Sequence, residues 1–154
     1  VTSAVGTTNT HPTSIAFGQV CARMMKAAMD GQDPQGCVDA GRAVATPQIQ
    51  ELLEDAQARK DQSTLDVTKH FGLACDLAYG VPSVVHNILT APSFVEAVRR
   101  NIYAGGDSCG RAMLLGALGG AVFGIGGERG IPRDWIKRLH VGEEVTATMK
   151  RLAN

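Results

Sequence analysis

Asp107 is the side chain of this sequence with the clearest capacity for chemistry. It follows a glycine pair in the stretch AGGDSCG and comes shortly before a long apolar segment. Two interpretations are open for a carboxylate in this place. It caps the first turn of a helix by accepting backbone N–H groups, or it holds a hard cation, because such ions take oxygen ligands fixed by a stiff scaffold. Ser108 beside it offers one further oxygen.

Cys109 is the second group in this stretch that could react. A thiol in the first turn of a helix, two residues before Arg111, lies where a thiolate is stabilised. A nucleophilic or redox-responsive cysteine and an inert packing residue are both compatible with that position. The other cysteines, Cys21, Cys37 and Cys75, are widely spaced and form no C-x-x-C pair. This spacing favours reduced thiols in a cytoplasmic protein over a zinc cluster or a disulfide framework.

The segment that follows Asp107 predicts a helix. The 16 uncharged residues AMLLGALGGAVFGIGG separate Arg111 from Glu128. A membrane span needs about 20 apolar residues, and this shorter run is rich in glycine. We therefore expect a fully buried central helix of a bundle. Glycine is a poor helix former, and close packing of flanking helices would compensate at the small residues that recur every fourth position: Gly116, Gly120 and Gly124.

Other stretches also have helical periodicity. THPTSIAFGQVCARMMKAAMD has one narrow polar stripe, which predicts a helix packed on several sides with Pro12 in its first turn. TPQIQELLEDAQARK reads as a surface helix with an i,i+4 pair between Asp55 and Arg59. Ser63 and Ser93 are each followed by an acidic residue three positions later, the spacing of a helix cap.

Strand signals are weak throughout, since no stretch shows sustained apolar and polar alternation. We expect an all-α fold of about six to eight helices. Turns are predicted at residues 31–34, 80–82, 91–92 and 130–132. With 154 residues, 44% of them apolar, the chain suits one domain over residues 1–154. The 15 basic and 15 acidic residues balance, so we expect neither a nucleic-acid partner nor a membrane partner.

The stretch FVEAVRRNIYAGGDSCGRAMLLGALGGAVFGIGGERGIPRDWIKRL resembles the C-terminal signature of the ADP-ribosylglycohydrolase superfamily, in particular its J-type crystallin branch. That pattern has a Gly-Gly-Asp-Thr-Asp-Thr core, a small-residue helix, and then an Ile-Pro followed by a Trp and a Leu. Upstream, Thr10, His11 and Pro12 resemble a Thr-His-Pro of the family. The matching residues of the signature are Gly105, Gly106, Asp107, 116–124, Ile131, Pro132, Trp135 and Leu139.

The resemblance implies a multi-helix orthogonal bundle with two magnesium ions in a cleft that binds ADP-ribose. It implies that Asp107 is a magnesium ligand. The neighbouring residues that it implies for ligand binding are Gly105, Gly106, Ser108 and Cys109. Two positions depart from the pattern: Cys109 stands in place of the second Asp, and Gly110 stands in place of the following Thr. A soft thiol is a poor substitute for a carboxylate around a hard ion.

The resemblance leaves two functions open. The first is a divergent, magnesium-dependent hydrolase of an ADP-ribose-type glycosidic bond, and the alternative is a non-catalytic structural or binding protein like the J-type crystallins. The family's other metal-binding motifs belong to an N-terminal half that this sequence lacks, which implies the C-terminal part of a larger protein. We therefore expect an ADP-ribose-like ligand, and either a homo-oligomer or association with the missing half.

Overall fold

The computed structural model of the chain describes residues 1–152. This part of the chain contains no strand, and an isolated bridge joins Ile125 and Ile131. The all-α prediction is confirmed. The predicted number of helices is too low, partly because short helices of five residues add to the total. The described helices are α1 (Thr2–Gly6), α2 (Pro12–Met29), α3 (Pro34–Arg42), α4 (Pro47–Ala58), α5 (Thr64–Phe71), α6 (Leu77–Thr90), α7 (Phe94–Tyr103), α8 (Ser108–Phe123), α9 (Arg133–Lys137) and α10 (Gly142–Leu152).

Helix α2 forms as the sequence predicts. Pro12 occupies its first turn, and the His11 ring nitrogen Nδ1 accepts a hydrogen bond from the Thr13 N–H at 3.3 Å. Phe17, Val20 and Met24 are buried on α2. The helix contacts α1, α3, α6 and α8, which agrees with its narrow polar stripe. It forms one wall of the cavity described below.

Helix α6 lies at the centre of the fold, in contact with α4, α5, α7 and α8. Its residues 81–88 are all buried. The prediction of a turn at residues 80–82 is wrong, because Gly80 and Pro82 lie inside this helix. An interior proline costs about 3 kcal/mol. Burial of Val84, Val85 and Ile88 contributes about 1.5–3 kcal/mol each and outweighs that cost.

Helix α8 is the predicted glycine-rich helix, but it is only half-buried. Leu115 and Leu118 face the core, whereas Met113 on the opposite face is 76% exposed. The prediction of a fully buried helix is therefore wrong, since neighbouring helices cover one side only. A Cβ at Gly119 would contact the Phe94 ring, whereas one at Gly116 would meet open space. Among the described helices, none is long and apolar enough to cross a bilayer.

The predicted caps set the ends of α5 and α7. The Ser63 hydroxyl accepts a hydrogen bond from the Asp66 N–H at 3.1 Å, and the Ser93 hydroxyl accepts one from the Glu96 N–H at 3.3 Å. Both predictions are confirmed. The end of α7 then leads directly into the Gly-Gly-Asp turn, so the cap at Ser93 helps to fix where that turn lies.

Candidate functional site

The candidate site lies where two connecting segments meet. Residues 72–76 join α5 to α6, and residues 104–107 join α7 to α8. The Asp107 N–H donates to the Leu73 carbonyl oxygen at 2.9 Å. Gly106 has φ of +60°, and a Cβ there would overlap the backbone of Leu73. The glycine is therefore required both for the left-handed turn and for the close approach of the two segments.

The buried Arg111 side chain fixes the Gly-Gly-Asp turn through hydrogen bonds. Its side chain is 5% exposed, and its Nε donates to the Asn101 side-chain oxygen Oδ1 at 2.8 Å. Its Nη2 donates to the Gly105 carbonyl oxygen. Burial lowers the pKa of the Arg111 guanidinium, and the charge of Asp107 opposes that shift. Asn101 in turn donates to the Ser108 carbonyl oxygen at 2.9 Å, so the buried pair ties α7, the turn and α8 together.

Asp107 caps helix α8. Its Oδ1 accepts a hydrogen bond from the Gly110 N–H at 3.0 Å, and Cys75 lines the same cavity as the carboxylate. The Gly110 N–H and then the Cys75 thiol hold the pKa of Asp107 below its ordinary value. The capping interpretation of Asp107 is confirmed. The carboxylate is ionised, and its Oδ1 already has a donor.

A cavity of about 280 Å³ opens beside Asp107, between α2, α6 and α8. Its walls are mostly apolar, and Asp107, Cys75 and Asp76 provide polar atoms at one end. Asp76 is itself a helix cap, since its Oδ1 accepts from the Ala78 N–H at 2.8 Å. The remaining lining residues are Cys21, Ala74, Leu77, Gly80, Val81, Val84, Gly110, Arg111, Met113 and Leu114.

A second, more open depression of about 780 Å³ adjoins this cavity. His11 lines it, and it shares Cys21, Cys75, Asp76 and Leu77 with the cavity. The two hollows therefore form one groove that runs from the start of α2 to the start of α8. His11 caps α2 through its ring, and the same ring lies at the far end of the groove.

The predicted site residues separate into two groups. Asp107 lines the cavity. The residues predicted for ligand binding, Gly105, Gly106, Ser108 and Cys109, form the turn and the first turn of α8 but do not line it. Cys109 is exposed, and its reactivity stays a prediction. Sequence reasoning missed Cys75 and Asp76, because their approach to Asp107 depends on a contact between segments about thirty residues apart, for which no local pattern exists.

Asp107→Asn is expected to make Cys75 more reactive. The pKa of the Cys75 thiol lies above its ordinary value, because the Asp107 carboxylate interacts favourably with the protonated thiol and its charge disfavours the thiolate. Asparagine retains a capping oxygen and removes the charge. Iodoacetamide should then label Cys75 several-fold faster near neutral pH, as measured by peptide mass spectrometry. Asp76 raises the pKa of the same thiol more weakly. An equal increase of the Cys75 labelling rate in Asp76→Asn would therefore contradict a specific interaction between Cys75 and Asp107.

Comparison with known proteins identifies the class of protein that has this fold. A family model described as ADP-ribosylglycohydrolase matches residues 1–154, and the chain belongs to that family. The chain is similar to Crystallin J1A of Tripedalia cystophora, with 25% identity over 154 residues that cover 99% of this chain and 47% of the crystallin. It thus spans about half the length of this curated relative. No solved structure matches the chain.

The donor groups of this chain do not fit the two-magnesium centre that the family resemblance implies. Magnesium needs near-octahedral coordination by oxygen. Asp107 is the one carboxylate of the predicted core, and it is engaged as a cap. Cys109 presents a thiol where the pattern has a carboxylate. Within the residues that the structure describes, there is no group of three or more His, Cys, Asp or Glu side chains that could hold a metal ion.

Proposed function

We propose that this chain is a binding member of the ADP-ribosylglycohydrolase family that lacks a metal centre of its own. The observation that carries the proposal is the orientation of Asp107. Its carboxylate is turned back over the first turn of α8, where it accepts a hydrogen bond from the Gly110 N–H, and the described residues place no group of three metal-binding side chains around it. In this role the chain has the family's fold and a cavity beside Asp107, without metal-assisted hydrolysis.

The ligand proposed for the groove is an ADP-ribose-like small molecule. The family membership supports this class of ligand. The cavity of about 280 Å³ is at the small end of ligand pockets, which range from about 300 to 1,000 Å³. It would therefore receive one part of such a molecule, with apolar walls against a ring and with Asp107 and Asp76 as acceptors for its hydroxyl groups. The adjoining depression would receive the remainder.

A second candidate is a magnesium-dependent hydrolase of an ADP-ribose-type bond. The observation that favours it is the coverage of Crystallin J1A, of which this chain matches 47%. In this second function, further metal ligands come from a part of a longer protein that this sequence does not include. Asp107 then contributes a carboxylate oxygen to the complete site. The exposed Met113 face of α8 supports the prediction of association with a further half or with a second copy.

Calorimetry with ADP-ribose separates these functions. We expect the chain to bind ADP-ribose equally in magnesium and in excess chelator, and to release no hydrolysis product from an ADP-ribosylated substrate. Asp107→Asn should weaken this binding only modestly, because it retains an acceptor oxygen, and the exposed Asp61→Asn should leave it unchanged. Binding that requires magnesium, together with product release, would favour the hydrolase. Absence of binding in both solutions would contradict the binding role and leave the crystallin-like structural role.

A further inference from the structure

Gly110 is in the first turn of α8, where its N–H donates to Asp107 Oδ1. A Cβ placed on Gly110 would overlap Asp107 Oδ2. The three nearest atoms that such a Cβ would meet all belong to the Asp107 carboxyl group. Any side chain at position 110 is therefore incompatible with the observed orientation of this carboxylate.

The backbone gives no separate reason for glycine at this position. Gly110 lies within a regular helix and is not among the glycines with positive φ. Glycine is less favourable than alanine inside a helix. Gly116 on the same helix provides a comparison, because a Cβ there would meet open space. The Asp107 carboxylate thus lies against Gly110, and no comparable group lies against Gly116.

We propose that Gly110 is a positioning residue for Asp107. The missing Cβ leaves room for the carboxylate to fold back over the first turn of α8, where it caps the helix. A side chain at position 110 would rotate the carboxylate away from this turn, and the hydrogen bond from the N–H of residue 110 would be lost. Asp107 and Gly110 both line the cavity. The absence of a side chain at position 110 therefore keeps the charged Asp107 carboxylate hydrogen-bonded to α8 at the cavity wall.

A double-mutant cycle tests the coupling without any ligand, so its outcome is independent of the proposed function. In the natural chain, Gly110→Ala should lower the unfolding midpoint, because it displaces the cap. In an Asp107→Ala background the same substitution should raise the midpoint, because only the helix preference of alanine remains, worth about a fivefold change in the unfolding equilibrium constant. Gly116→Ala should stabilise by about that factor in both backgrounds.

A second readout separates positioning from a general structural effect. The amide resonance of Gly110 should shift with pH as Asp107 ionises, since the two groups are hydrogen-bonded. In Gly110→Ala the amide of residue 110 should lose this titration, whereas in Gly116→Ala it should remain.

Any one of three results would overturn the proposal. The first is that Gly110→Ala stabilises the natural chain as much as Gly116→Ala does, and the second is that Gly110→Ala has the same effect in both backgrounds. The third is that the amide of residue 110 still titrates with Asp107 in Gly110→Ala. If Gly110→Ala alone fails to fold, folding of the double variant supports the coupling, and failure of the double variant contradicts it.

Discussion

Arg111→Met is expected to lower the free energy of unfolding by about 3 kcal/mol or more, because it leaves several buried acceptors without a donor. The Asn101 side-chain oxygen and the Gly105 carbonyl oxygen both receive hydrogen bonds from Arg111. Methionine preserves much of the apolar stem, so the loss would come from the hydrogen bonds and not from a large cavity. A chain of this size should lose about 10 °C in its thermal midpoint.

The effect should be local to the site as well as large. Hydrogen exchange is expected to rise first at Gly105, Gly106 and Asp107, since Arg111 holds this turn. The control is Arg99→Met, which removes the same type of side chain from an exposed position on α7 and should shift the midpoint little. Similar destabilisation by both substitutions would show that the buried arginine does not hold the turn.

Gly106→Ala should be the next most damaging change at the site. A residue with a Cβ at φ of +60° is strained by about 1–2 kcal/mol. The overlap with the Leu73 backbone should add about 1–3 kcal/mol, because the hydrogen bond from the Asp107 N–H to the Leu73 carbonyl oxygen holds the two segments together. Denaturant unfolding, monitored by circular dichroism, measures the total.

Gly105 provides a matched control for this substitution. Its φ of +68° imposes a similar backbone strain, yet a Cβ there would meet no atom within 4 Å. Gly105→Ala should therefore cost only the backbone part, about 1–2 kcal/mol. Equal losses in the two variants would mean that the approach of Leu73 to Gly106 does not constrain the turn.

Local chemistry made much of the helix arrangement predictable. Pro12, Ser63 and Ser93 mark helix starts because the groups that satisfy a first turn lie within a few residues of it. The same reasoning gave a helix cap as one of the two interpretations of Asp107. The turn predicted at residues 80–82 failed because apolar contacts from several surrounding helices override the local preference of Gly80 and Pro82.

The chemistry around Asp107 was only partly predictable, because it depends on distant segments. Cys75 reaches the carboxylate through the contact between residues 72–76 and the Gly-Gly turn. Arg111 was expected to act on the Cys109 thiol, but its hydrogen bonds lead to Asn101 and Gly105 instead. Burial of an arginine cannot be inferred from charge and spacing, because it requires buried acceptors that come from another helix.

The residues of the site together hold the Asp107 carboxylate against the first turn of α8. Arg111 and Asn101 fix the turn. Gly106 allows the Leu73 segment to approach closely, and Gly110 leaves space for the capping carboxylate of Asp107. This arrangement stabilises the start of α8 and keeps Asp107 ionised. The same arrangement occupies the one carboxylate that the family pattern would assign to magnesium in this stretch.

A magnesium titration followed by the amide resonance of Gly110 tests most directly whether Asp107 serves as a helix cap and not as a magnesium ligand. If Asp107 remains the cap of α8, the Gly110 resonance should move no more than that of Gly116 as magnesium is added. A saturable displacement of the Gly110 resonance that is abolished in Asp107→Ala and kept in Asp61→Asn would contradict it, because the ion would then bind the carboxylate that caps the helix.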